Sequence, residues 1–196
     1  MKIQMDEREL HFRQFLKYLM IACKRIGEDY FRLRVASSKE LLLRERVYCY
    51  ELYHQLRIIL ENKRFRYTLH GEVDKRGHKI IHRNYIPDFI VHVPGEMKNL
   101  VIIEVKPLRK NVKLKYDIDK LKYFIDEAEY YRGIMLVFGN ADNQQISRVK
   151  DRVEQYIQGY ENSIFLIWHK EYNRKPEILL PQNHQKFLDF EKFSIN

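Results

Sequence analysis

Cysteine is scarce in this sequence. Cys23 and Cys49 are the two cysteines among 196 residues. They fall in separate helical patterns without metal-ligand spacing, so a disulfide scaffold and a cysteine-based zinc site are excluded, and a reduced, cytoplasmic chain is expected. Seven glycines and five prolines are scattered along the chain, which leaves no low-complexity tract, internal repeat or interdomain linker. Long apolar runs are missing as well. The uncharged stretch Tyr18 to Cys23 is far too short to span a bilayer, and Met1 to Glu9 mixes charges with no apolar segment of signal-peptide length. Neither a membrane nor an export route is expected.

What is present is a hydrophobic fraction of 45%, enough for a real core, and a net charge of +9 with an isoelectric point near 9.4. That length and composition fit a single domain. The positive excess suits a polyanionic partner, and fourteen tyrosines add rings that can stack on bases where they alternate with basic residues.

The most informative stretch is two apolar, β-branched runs, Asn84 to Val93 and Asn99 to Pro107, joined by Pro94-Gly95-Glu96. These read as a hairpin. In the second run Val101, Ile103 and Val105 take one face of the sheet, and Ile102, Glu104 and Lys106 the other. A carboxylate and an ammonium thus project from the end of an apolar strand, and Asp88 does the same from its partner. Burying a lone charge costs roughly several kcal/mol, so three such groups point to pairing, metal binding or catalysis.

The rest of the chain supplies the frame. Residues 6 to 27 form an amphipathic pattern with Phe12, Phe15, Leu16, Leu19, Ala22, Cys23 and Ile26 inward, its basic face packing-neutral or phosphate-facing. Ser37-Ser38-Lys39-Glu40 has capping-box spacing and starts a helix running to about residue 62. On that helix Leu42, Cys49, Leu52, Leu56 and Ile59 make the apolar stripe. Glu45 falls on it, and Glu51 lies roughly 120° away. Either Glu45 faces the sheet or it is a half-exposed first-turn acid favoured by the helix dipole.

Phe65 to Val73 has strand composition, followed by a turn and Lys79 to His82. Glu72 is a second acid near the sheet end, more simply read as a surface charge. His78, His82 and His92 carry no zinc pattern and are read as turn or sheet-face residues. Lys106, Arg109, Lys110, Lys113 and Lys115 make a dense basic segment. It is followed by a helix marked by Leu114, Ile118, Leu121, Ile125 and Ala128, on which Asp117, Asp119 and Lys120 make only a loose Asp-x-x-Lys-type segment and Lys120 is not read as catalytic. Gly133 to Gly139 is a buried strand, Asp142 caps a helix ending near Gly159, and Ser163 to Trp168 is the last strand. The tail from His169, with Pro176 and Pro181, is read as an arm or a short terminal helix.

Pro87-Asp88, fifteen intervening residues and Glu104-Val105-Lys106 resemble the Pro-Asp…Glu-x-Lys signature of the PD-(D/E)XK nuclease superfamily, over roughly residues 38 to 140. The resemblance implies an α/β, restriction-endonuclease-like core with a mixed sheet of about five strands flanked by helices. Its boundaries are an N-terminal helical extension over 1–36, the core over 37–168 and a C-terminal arm over 169–196. It implies a magnesium-dependent nuclease, with manganese able to substitute, acting on DNA rather than RNA. Asp88, Glu104, the Val105 carbonyl and Glu45 would hold metal, Lys106 would act on the attacking water or the phosphate, and Arg109, Lys110, Lys113 and Lys115 would meet nucleic acid. The alternatives are a non-catalytic nucleic-acid-binding protein, or an interaction subunit working as a homodimer or with a protein partner.

Overall fold

The computed structural model describes residues 6–36, 40–73, 85–109 and 111–182. The capping-box residues Ser37 to Lys39, the strand expected over Lys79 to His82, His78 and Lys110 lie outside the described residues.

The chain opens with α1 (Glu7–Lys24), capped by the Asp6 carboxylate, which accepts from the Arg8 N–H at 3.1 Å. Phe12, Phe15, Leu16, Leu19, Ala22, Cys23 and Ile26 are all buried in the main core, so the segment read as an extension contributes to that core. A single-turn α2 (Glu28–Phe31) leads into β1 (Leu33–Arg34), which pairs with β2 (Leu41–Leu42) as a separate two-stranded ribbon. Next come α3 (Glu45–Asn62), β3 (Thr68–Gly71), β4 (Phe89–Val93) and β5 (Lys98–Pro107). The chain continues through α4 (Lys115–Glu127), β6 (Arg132–Phe138), α5 (Asn143–Tyr156), β7 (Ile164–His169) and β8 (Glu177–Leu180).

The strands β3 to β8 form one mixed, six-stranded sheet in sequence order. The β3–β4 and β4–β5 pairs are antiparallel, β5–β6 and β6–β7 are parallel through the crossover helices α4 and α5, and β8 returns antiparallel. Helices α1 and α3 cover one face with Val101, Ile103 and Val105 beneath them, while α4 and α5 cover the other with Ile102, Met135 and Val137. The alternation along β5 follows from its pleat. The buried β6 is apolar on both faces, as a central parallel strand must be.

Two expectations are corrected. The sheet has six strands rather than about five, because Glu177–Leu180 forms β8 in the stretch read as an arm or helix. Pro176 and Pro181 bracket this strand at the sheet's edge, where a missing N–H costs no ladder bond. Helix α3 starts at Glu45, not near residue 38, because Leu41 and Leu42 are held extended by β1. Among the described residues, no helix is long and apolar enough to cross a membrane.

Candidate active site

The β4–β5 ladder ends where Phe89 faces Ile103. Two residues further the register sets Pro87 opposite Val105. Proline has no N–H to donate to the Val105 carbonyl, and the Val105 N–H turns instead to Asp88 Oδ2 at 2.7 Å. N–H and C=O of one strand residue point to the same side, so the Val105 carbonyl faces the Asp88 side of β5. The Pro-Asp pair therefore both ends the ladder and fixes a carboxylate against the next strand.

Glu104 and Lys106 leave the opposite face of β5 from Val105, toward α4. Glu104 is fully buried; its Oε2 accepts from Lys120 Nζ at 2.7 Å, and its Oε1 has no hydrogen-bond partner. Lys120 comes from α4, is 7% exposed and also donates to the Ile86 carbonyl at 3.1 Å. Lys106 meets both oxygens of Glu45 at 3.2 Å and Asp117 at 3.6 Å. Asp117 lies one helical turn before Lys120 and 4.0 Å from it. Helices on both faces of the sheet thus converge on the end of one strand.

Four carboxylates (Glu45, Asp88, Glu104, Asp117) gather round two ammoniums (Lys106, Lys120), so the cluster holds more acids than bases. Burial is the main influence on the protonation of the acids. Burial, reinforced by the neighbouring Asp88, pushes Glu104 well above the usual carboxylate range despite Lys120. Burial also pushes Asp88 up to about 6, with the Val105 N–H opposing and Glu45 reinforcing the shift. Asp117 is raised by burial against the pull of both lysines. For Lys106 burial disfavours the charge, yet Asp117, Glu45 and Asp88 together hold its pKa above the ordinary lysine value.

No family model, no curated protein and no solved structure matches this chain.

The structure brings Glu45, Asp88, Glu104 and Lys106 into one cluster and adds Asp117 and Lys120, whose spacing was noted in the sequence without a role being assigned to either. Glu51 bonds Gln55 at 2.8 Å on its own helix. Glu72 pairs with Arg46 at 3.6 Å on the surface. His92 lies 2.9 Å from His70 across β3 and β4. Of the basic segment, Arg109 and Lys113 are exposed, and Lys115 is tied to Asp119 at 2.8 Å on α4. Burial, with Asp88 and Glu45 adding to it, pushes the nearby Cys49 thiol far up, which makes it a poor thiolate nucleophile.

Among the described residues no group of three or more acid, histidine or cysteine side chains is arranged to hold a metal ion. A magnesium-type cation would find hard side-chain oxygen donors here in Asp88 and Glu104 alone. Glu104 Oε1 is an orphaned buried oxygen, and such ions take few carboxylates plus water and substrate oxygens.

Proposed function

We propose that this chain is a metal-dependent nuclease that hydrolyses phosphodiester bonds in DNA on a restriction-endonuclease-like fold. The observation that carries the reading is the half-buried Asp88 and fully buried Glu104, with one unsatisfied oxygen on Glu104, beside the Lys106 ammonium at a strand end. Asp88, Glu104 and the Val105 carbonyl would hold the cation. Bound there, a divalent ion would compensate charge developing on the phosphate and the leaving oxygen.

The chain's own residues do the positioning. Lys120, pinned by the Ile86 carbonyl, fixes the Glu104 carboxylate, and the Val105 N–H fixes Asp88. Glu45 and Asp117 orient Lys106, which can donate to the attacking water or to a phosphate oxygen as charge builds there. Arg109, Lys110 and Lys113 lie on the segment leaving β5 and suit the flanking phosphates.

A second reading, a polynucleotide-binding protein without catalysis, draws on the fact that both lysines of the cluster are already ion-paired. Incubating purified protein with plasmid and with single-stranded DNA, with and without magnesium or manganese, separates the two. Metal-dependent cleavage abolished by Asp88→Ala and by Glu104→Ala is the expected result. Binding without cleavage under every metal would favour the second reading.

A further inference from the structure

Beside the acid cluster, α3 carries a feature that the proposed chemistry does not use. Arg46, Tyr50, Tyr53 and Arg57 succeed one another at spacings of four, three and four residues, so they form one stripe along the helix. The stripe faces outward: Tyr50 is 62% exposed, and Arg46 and Arg57 are exposed too. At its inner margin lies a cavity of about 280 Å³ lined by Cys49, Tyr50, Tyr53, Gly71, Phe89 and Asp88, with Glu72 also on its wall. Asp88 thus belongs both to the candidate metal site and to an aromatic pocket.

The pocket is built for a flat ring. Tyr53 lies nearly parallel to Phe89, with ring centroids 6.3 Å apart at 16°. Gly71 has no side chain to fill that wall; a Cβ there would lie in ordinary contact with Phe89 and the Asp88 carbonyl at 3.5 Å. The volume is near the lower limit of small-molecule sites, suited to a single ring system. Tyr50 offers an open aromatic face at the mouth.

The arginines are engaged by surface acids, Arg46 by Glu72 at 3.6 Å and Arg57 by Glu61. Such exposed pairs are worth at most about 1 kcal/mol, so a phosphate can replace either carboxylate at little cost. Aromatic rings flanked by cations on one track are what a single strand needs, since every base has a face to stack and every linkage a charge.

We infer that the α3 stripe is a binding track for single-stranded DNA, and that it lodges one unstacked base in the Tyr50–Tyr53–Phe89 pocket beside Asp88. This rests on the nuclease reading and narrows its substrate to DNA whose base at the cut is unpaired or displaced. A paired base inside a duplex cannot enter the pocket.

Fluorescence anisotropy in EDTA tests the track with cleavage switched off. The probes are a labelled single-stranded oligothymidylate, an abasic strand of the same length and charge, and a duplex of that length. Oligothymidylate should bind more tightly than both others. Tyr50→Ala should weaken it roughly tenfold while leaving the abasic strand unchanged, and Tyr50→Phe should retain affinity. Since Tyr50 is largely solvent-exposed, the substitution leaves the core untouched.

Equal affinity for abasic and base-bearing strands, preference for duplex, or no effect of Tyr50→Ala overturns the inference. So does concentration-dependent dimerisation lost in Tyr50→Ala without a change in oligothymidylate binding, which would assign the stripe to a second copy of the chain. Stacking-dependent binding with no cleavage under any metal would leave the track standing and remove the nuclease reading.

Discussion

Lys120 of α4 grips Glu104 of β5 at 2.7 Å with both groups out of solvent, while the second Glu104 oxygen has no hydrogen-bond partner. A carboxylate held by one oxygen and open at the other is fixed in direction yet still able to accept. The pair also ties the crossover helix to the strand end it follows. Its role is both structural and positional.

Removing the ammonium should expose the structural half. Lys120→Ala leaves Glu104 buried without its closest counter-charge, a loss of roughly 3 kcal/mol or more, or about 10 °C in Tm for a chain of this size. Because its pKa is raised, Glu104 escapes part of that cost by taking up a proton, and Glu104→Gln, which cannot ionise, should restore most of the lost Tm in the Lys120→Ala background. Equal melting at pH 7 would show that the pair does not hold α4 in place.

Asp88 should behave in the opposite sense. Its folded pKa is raised to about 6 from 3.8, so ionisation costs stability in full above the folded value, and that cost declines as pH falls from about 6 and is gone below 3.8. Asp88→Asn keeps an oxygen to accept from the Val105 N–H and removes the charge. We expect a stability gain at pH 7 of roughly 1–3 kcal/mol, vanishing near pH 4. Added magnesium should raise the wild-type Tm and leave that of Asp88→Asn nearly unchanged. A variant less stable than wild type at pH 7 would mean that the Asp88 charge supports the fold.

The strand acids were legible in the sequence because charges inside β-branched runs break an otherwise clean alternation. Asp117 and Lys120 were given no role beyond a loose Asp-x-x-Lys resemblance, although the same test applies to them. Asp117 falls on the stripe Leu121, Phe124 and Ala128, and Lys120 precedes Phe124 by one turn, so both sit on the buried side of α4. A charge on the apolar face of a helix carries the same warning as one in a buried strand. What the pattern could not supply was the partner, since Glu104 and Lys120 meet only through the crossover that packs α4 on β5. Strand β8 was missed for a different reason: prolines break helices and central strands but are tolerated beside an edge strand, and sequence alone does not say where the sheet ends.

A second titration lies away from the site. His169 is fully buried, its Nδ1 lies 2.9 Å from the Tyr48 hydroxyl, and burial pushes its pKa down to about 4. A depressed histidine is neutral in the fold, so stability is intact above the unfolded value of 6.5 and falls as pH drops toward the folded one. The span corresponds to on the order of 3 kcal/mol. His169→Gln keeps a polar group for Tyr48 but does not titrate. Its Tm deficit at pH 7 should narrow or reverse by pH 4.5, and a deficit independent of pH would show that His169 is not the group responsible.

The basic segment after β5 predicts a salt signature. Each neutralised phosphate contributes about −0.9 to the slope of log affinity against log salt on duplex DNA. Arg109→Glu together with Lys113→Glu, both exposed positions, should weaken binding and flatten that slope. An unchanged slope would mean that this segment faces solvent in the complex.

Glu45 gives the sharpest contrast within one helix. It is the first residue of α3, where an acid is favoured by the helix dipole whatever its function, so its position in the helix does not by itself assign a role. Its geometry is more selective: both oxygens stand 3.2 Å from Lys106 Nζ, whereas Glu51 on the same helix bonds Gln55 at 2.8 Å. If Lys106 acts on the reacting phosphate or water, Glu45 works through it as a positioning residue. Glu45→Gln removes one of the charges that hold the Lys106 pKa up and loosens the ammonium's orientation. The cleavage rate should then fall at least tenfold with little change in DNA affinity, and the basic limb of its pH profile should move to lower pH as Lys106 loses its proton more readily. Glu51→Gln should leave rate, affinity and pH profile at wild-type values. A Glu45→Gln enzyme with an unshifted basic limb would detach Glu45 from Lys106 and leave Asp117 as the carboxylate that orients it.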